Sequence, residues 1–229
     1  MIDFHSHILP GIDDGSASVE ESVALLRMLS DQGVDTVVAT PHFYPQEIDP
    51  DTFFAQRSRA FEKLKPSLTD EMPNIRLGAE VFYYQGISRL ANFSSLRIEG
   101  SKLLLLEMPT VPWTEYMLHE LSDLSCSANL RVVMAHIERY LPMQKRGVLE
   151  MLLSRGILIQ TNASSFLSRG SARKTLKMMH DGKIQFIGTD CHNIEERKPR
   201  MEAALSVVRE KYGDGFLRAF DREARHLLG

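Results

Sequence analysis

The chain has 229 residues, 43% hydrophobic and 25% charged, which is enough apolar material to fill the core of one domain spanning 1–229. A formal net charge of −3 offers no basic footprint for nucleic acid, and no apolar run approaches the ~20 residues of a membrane span. Two cysteines are too few for a disulfide framework, and Met1-Ile2-Asp3 lacks the basic head and apolar stretch of a signal peptide, so a reducing cytoplasm is the expected location.

Strand-like and helical segments alternate along the chain. The first strand-like run, 2–7, ends on His5-Ser6-His7, and on an extended chain two imidazoles spaced by one residue point the same way. Ser18-Val19-Glu20-Glu21 reads as a capping box opening a helix to about Gln32, with Val23, Leu26 and Leu29 at helical spacing and Gly33 as its stop. Run 36–42 ends on His42, and a helix is expected at 51–66. Runs 75–80 and 103–107 end on Glu80 and Glu107, and run 131–136 follows a helix at 114–127 and ends on His136. A helix at 143–154 precedes run 156–162, and one at 171–181 precedes run 185–192, which ends on Asp190-Cys191-His192. Helices at 198–212 and 214–226 complete the chain. Seven strands alternating with helices predict an α/β barrel or strongly curved parallel sheet, whose function sits at the carboxyl ends of the strands.

An H-x-H pair alone is weak, because a turn or surface role explains many such pairs. Here, however, an imidazole or carboxylate stands at nearly every strand end, and such a series makes a multi-metal site. Carboxylate and imidazole without thiolate suit manganese, iron or zinc, and a carboxylate can bridge two ions about 3.5–4 Å apart. Glu80 is the expected bridge. His119, His180 and His226 lie in predicted helices, where packing accounts for them.

Six segments then point to one family: His5-Ser6-His7, Gly11-Ile12-Asp13-Asp14-Gly15, Thr40-Pro41-His42, Gly78-Ala79-Glu80, Ala135-His136-Ile137-Glu138-Arg139-Tyr140 and Asp190-Cys191-His192-Asn193. Together they resemble the bacterial manganese-dependent tyrosine-protein phosphatases of capsule and exopolysaccharide loci, in the polymerase and histidinol phosphatase (PHP) superfamily. The resemblance runs from residue 1 to about 213. It implies a distorted (β/α)7 barrel of the PHP type with three divalent or trivalent metal ions, manganese foremost and iron or zinc as alternatives. It assigns His5, His7, Glu80 and Asp190 to one ion, Glu80, Glu107 and His136 to a second, and Asp14, His42 and His192 to a third. Asp13 adjoins Asp14, and either carboxylate could face the metal.

Arg139 and Arg197 lie near proposed ligands, where planar guanidinium groups suit bidentate capture of a phosphate. The implied reaction is hydrolysis of a phosphomonoester by metal-activated hydroxide, with His42 or a coordinated water protonating the leaving phenolate. The implied substrate is phosphotyrosine on a protein, a membrane-associated tyrosine autokinase, with no nucleic acid and no membrane insertion. A small-molecule activity such as histidinol phosphatase is the alternative. Phe43, Tyr44, Tyr83, Tyr84, Trp113 and Tyr140 follow strand ends, where they could ring the mouth.

Two features depart from the family. The loop Phe43-Tyr44-Pro45-Gln46-Glu47 lacks the basic residues some members carry, and the last segment reads Phe220-Asp221-Arg222 where relatives commonly have Asn-Pro. Cys191 and Arg197 share the C-x5-R spacing of cysteine-dependent phosphatases, but the intervening loop has no glycine and carries Glu195 and Glu196, which would repel a phosphate dianion.

Overall fold

The computed structural model describes residues 1–89, 93–126 and 129–229. Its strands are β1 (Ile2–Ser6), β2 (Thr36–Ala39), β3 (His42–Phe43), β4 (Asn74–Leu77), β5 (Glu80–Phe82), β6 (Leu103–Glu107), β7 (Arg131–Met134), β8 (Leu158–Asn162) and β9 (Phe186–Gly188). The helices are α1 (Val19–Asp31), α2 (Pro50–Leu64), α3 (Glu115–Ser125), α4 (Val148–Ser154), α5 (Ala172–His180) and α6 (Met201–Leu228). Every strand pair is parallel, in the orders β1-β2-β4 and β3-β5-β6-β7-β8-β9.

The nine strands reduce to the seven expected staves, because two staves are broken. Thr40-Pro41 separates β2 from β3, where Pro41 has no N–H to give, and Gly78-Ala79 separates β4 from β5. The ladder continues through the breaks: the N–H of Gly78 donates to the Ala39 carbonyl at 2.8 Å and that of Glu80 to the Pro41 carbonyl at 3.0 Å. The broken staves bend, and the sheet curls until β9 meets β1. The Asp190 N–H donates to the His5 carbonyl at 2.8 Å and the His7 N–H to the Cys191 carbonyl at 2.9 Å, which closes the barrel. Gly188 permits this seam, since a Cβ there would stand 2.4 Å from Cβ of His5.

Alternation along the strands separates two apolar layers. Val132, Met134, Leu104 and Leu106 face the helices, while Val133, Leu103 and Leu105 join Ile2, Phe4 and Phe186 in a second cluster that fills the barrel. The Phe4 and Phe186 rings stack at 3.7 Å, and Ala224 and Leu228 of α6 plug the amino-terminal end.

The capping box of α1 forms with a shift. The Ser18 hydroxyl accepts the Glu21 N–H, but the Glu21 carboxylate reaches back to the Ala17 N–H. Helix α4 is shorter than the expected 143–154, because Gly147 sits at φ 93 just before it. The two expected terminal helices run on as α6, kinked at Gly213, whose φ of 81 and ψ of 165 no helix accommodates. Asp221 docks this tail by accepting the Ile2 N–H and Arg225 Nε, so the departure at 220–222 leaves it seated. Among the described residues no helix is long and apolar enough to cross a membrane.

Candidate metal centre

Glu80 lies at the middle of the carboxyl-terminal rim, 1% exposed. Its Oε1 is 2.8 Å from His136 Nε2, and its Oε2 is 3.1 Å from His5 Nε2, 3.3 Å from His7 Nε2 and 3.1 Å from His42 Nδ1. The break before β5 sets this position, and Arg57 of α2 secures it. Its Nη1 donates to the Gly78 carbonyl at 2.6 Å from a buried site, and burial lowers this guanidinium to about 10.

Around Glu80 the other candidates gather into overlapping groups. His5, His7 and Asp190 form one, His5, Glu80 and His136 a second, His42, Glu80 and Glu107 a third, and His7, Asp14, His42 and His192 a fourth. Within each group the ligand atoms lie within 4.8 Å of one another. The structure therefore brings together all nine side chains assigned from the sequence, His5, His7, Asp14, His42, Glu80, Glu107, His136, Asp190 and His192. His119, His180 and His226 lie on α3, α5 and α6, exposed and away from it.

The geometry resolves the adjacent aspartates. Asp14 Oδ1 stands 3.4 Å from Nε2 of both His42 and His192, facing the site. Asp13 works from behind. Its Oδ2 is 2.7 Å from His7 Nδ1 and accepts the His42 N–H at 3.1 Å, while its Oδ1 accepts the Gly15 N–H at 3.0 Å. Gly15 is required here, because a Cβ would meet the His7 carbonyl oxygen at 2.3 Å. A carboxylate on the far nitrogen fixes which nitrogen of His7 faces the centre.

Three more polar residues, not anticipated as site residues, lock the rim. On β8, Gln160 Oε1 accepts the His136 N–H at 2.6 Å, Gln160 Nε2 donates to Asn162 Oδ1 at 2.9 Å, and Asn162 Nδ2 donates to Asp190 Oδ2 at 2.8 Å. Buried Asp3 accepts from the Thr189 N–H at 2.7 Å and hydroxyl at 2.5 Å, holding the turn that carries Asp190. The available signal for Gln160 and Asn162 was a wholly polar end, Gln160-Thr161-Asn162, on a strand that begins Leu158-Ile159. Among the described residues, His136 at φ 26 and Asp190 at φ 54 are the non-glycine residues with positive φ, a local strain that such bonds sustain.

Electrostatics fit a cluster of cations. Burial would strip protons from His5 and His7, but Glu80 and Asp190 raise His5, and Asp13 and Glu80 raise His7 to about 10. Burial opposes ionisation of Glu80 and Asp190, yet the surrounding imidazoles, His5 foremost, hold both low. Burial and the Glu80 charge push Glu107 up to about 7, and burial leaves His192 at about 4, neutral with a lone pair to offer. His42 Nδ1, Glu80 Oε2 and His192 Nε2 are buried without a hydrogen bond. Orphaned buried acceptors pointing at shared points are costly unless something positive fills the space, so the donor set suits hard or borderline metal ions.

Arg139 and Arg197 grip the same carboxylate. Arg139 Nη2 donates to Asp190 Oδ2, and Arg197 Nη2 to Asp190 Oδ1 at 3.0 Å, while each side chain stays 41% exposed. Cys191 stands apart in function. It is fully buried, and burial raises its thiol far above the ordinary range, so no thiolate is available for attack.

The aromatic ring around the mouth does not form as expected. Phe43 packs in the core, Tyr83 donates its hydroxyl to Glu120 at 2.5 Å, and the fully buried Tyr140 sets its hydroxyl 3.0 Å from His136 Nδ1. Trp113 is likewise buried, and Tyr84 packs against the core. Large apolar rings gain more from burial than from lining an open rim. Tyr44 does reach the site, stacking 5.2 Å from His42 and lining a cavity of about 540 Å³ beside it.

A family model described as capsular polysaccharide synthesis, CpsB/CapC, matches residues 1–227. The tyrosine-protein phosphatase CpsB of Streptococcus pneumoniae is 30% identical over 226 residues, covering 93% of this chain and 91% of its own. The solved structures of YwqE from Bacillus subtilis and CpsB from Streptococcus pneumoniae, described as unique metal-dependent tyrosine phosphatases, give a fold match with TM-score 0.85 at 24% identity, over 100% of this chain and 94% of theirs. The zinc-containing histidinol phosphate phosphatase of Lactococcus lactis shares the barrel at TM-score 0.53 and 13% identity, over 97% of this chain and 93% of its own. This chain, in sequence and in its distorted PHP-type barrel, belongs to the CpsB/CapC family of capsular polysaccharide synthesis proteins.

Proposed function

We propose that this chain is a metal-dependent phosphomonoesterase that removes phosphate from tyrosine on a protein, a membrane-associated tyrosine autokinase of capsule or exopolysaccharide synthesis, in the cytoplasm. The observation that carries the reading is the Glu80-centred cluster set directly beside two exposed guanidinium groups that share Asp190. The family membership and the names of the curated relatives favour a phosphotyrosyl protein over histidinol phosphate, whose phosphatase is related by fold alone.

In this reading residues 1–229 act as one catalytic domain. His5, His7, Glu80 and Asp190 hold one ion, Glu80, Glu107 and His136 a second, and Asp14, His42 and His192 a third, with manganese the expected metal. Bound there, such ions supply Lewis acidity and a water whose pKa falls from ~15.7 towards ~7. Asp13 and Tyr140 orient His7 and His136 through the ring nitrogens turned away from the centre. Arg139 and Arg197, each with its side chain 41% exposed, turn to the phosphoryl oxygens, which compensates the charge that develops there. His42 takes the ligand role rather than that of proton donor, because its Nδ1 is buried and its Nε2 faces Asp14. The leaving tyrosine oxygen has an ordinary pKa of ~10, which lowers the demand on any acid.

The test combines elemental analysis with turnover. After manganese loading, the protein should retain more than one ion per chain and release phosphate from a phosphotyrosyl peptide faster than from histidinol phosphate. Chelation should abolish the activity, and Cys191→Ser should keep most of it. Activity that survives chelation but not Cys191→Ser would overturn the metal reading.

A further inference from the structure

A second cavity, of about 250 Å³, is lined by Asp190 and shares no lining residue with the one beside Tyr44. Its charged lining is lopsided: Arg139, Arg197, Lys198 and Arg200 face Asp190 and Glu196. Asp190 is already shared by Arg139 and Arg197. Among the ion pairs of the described residues, Lys198 and Arg200 engage no carboxylate, and both side chains are exposed. Pro199 between them fixes its own φ, and Met201 opens α6 directly afterwards, so the unmatched cations are joined by the positive end of a helix. A cavity with surplus positive charge that shares two walls with the phosphate clamp suits an anion held next to the scissile phosphate, separate from it.

We propose that Lys198 and Arg200 form a second anion subsite, which takes a carboxylate or phosphate on a residue flanking the phosphotyrosine. This rests on the phosphatase reading and makes it specific: the preferred substrate is an acidic or multiply phosphorylated tyrosine segment. The net charge of −3 gives no global attraction to such a segment, so the steering is local, on the face next to Asp190.

The test uses full-length, manganese-loaded protein and phosphotyrosyl peptides whose neighbouring residues are alanine, aspartate or a second phosphotyrosine, with p-nitrophenyl phosphate as a substrate that cannot reach the subsite. The wild type should show a KM lower by about fivefold or more for the anionic peptides, as expected of one or two partly solvated charge pairs. Lys198→Ala combined with Arg200→Ala should erase that preference and leave kcat and KM for p-nitrophenyl phosphate unchanged. A preference shared by the aspartate peptide assigns the subsite to anions in general, and one confined to the doubly phosphorylated peptide assigns it to phosphate. Equal KM values for all three peptides in the wild type, or a preference that persists in the double variant, would overturn the subsite alone. A protein inert towards p-nitrophenyl phosphate would instead overturn the phosphatase reading, and the subsite with it.

Discussion

The two ends of the barrel use the same residue types to opposite purposes. At the amino-terminal end Asp35 accepts from Arg225 Nη2 at 2.7 and 2.8 Å, and Arg76 donates to the carbonyls of Leu228 and Gly229, so charges near water are matched by a partner. At the carboxyl-terminal rim Glu80, His5, His7, His136 and His192 are almost fully buried, acceptors lack donors, and backbone strain collects at His136 and Asp190. Paired surface charges cost little and stabilise modestly, whereas buried unpaired ones are expensive and persist where a ligand or reaction needs them. The contrast teaches that the rim is built for an occupant and the base for holding α6 against β1.

The sharpest way to break that contrast is at its centre. Glu80→Gln keeps the shape but removes the charge shared by four imidazoles, and should lower kcat on the order of 10³-fold. It should also abolish the rise in Tm on adding manganese, which for the wild type should correspond to about 2.7 kcal/mol at a hundredfold excess over Kd. An unchanged thermal response in the variant would show that Glu80 holds no ion.

A smaller effect is expected one layer out. Asp13→Asn weakens the carboxylate contact on His7 Nδ1 without touching the centre, and should raise the manganese Kd by about 10- to 100-fold while kcat at saturating metal changes little. Titration calorimetry reads this directly, and wild-type affinity in the variant would reduce Asp13 to a loop residue.

The smallest effect should come from the base. Asp35→Asn should cost about 0.2–1 kcal/mol at neutral pH and leave activity intact, as expected of an exposed pair. Burial opposes the charge, but Arg225 first and then its other partners hold Asp35 down at about 2, below its unfolded value. The depressed carboxylate therefore contributes fully above ~4 and loses its contribution as the pH falls towards about 2. Urea titrations at pH 7 and pH 2.5 should show the gap between variant and wild type closing in acid. A gap that widened instead would remove the ion pair as its cause.

Much of this protein was legible in its order of residues, for a physical reason. A buried parallel strand must be apolar, so polar residues that end six such runs stand out, and the closed sheet carries those ends to one rim. Residues 40–41 and 78–79 were absorbed into longer predicted strands, because a break that keeps its ladder hydrogen bonds leaves no gap in an apolar pattern. The length of α4 erred where Gly147 imposes a backbone angle that composition does not reveal, whereas the expected break between the last two helices falls at Gly213.

Sequence by itself determined the alternation and the places of the imidazole and carboxylate residues at strand ends, since these follow from periodicity and residue type. Only the tertiary structure decided which of Asp13 and Asp14 faces the centre, that Gln160 and Asn162 tie His136 to Asp190, and that most of the aromatic residues turn into the core rather than the mouth. Those choices depend on the curl of the sheet, which sets directions between residues far apart in the chain, and no local pattern encodes a direction of that kind.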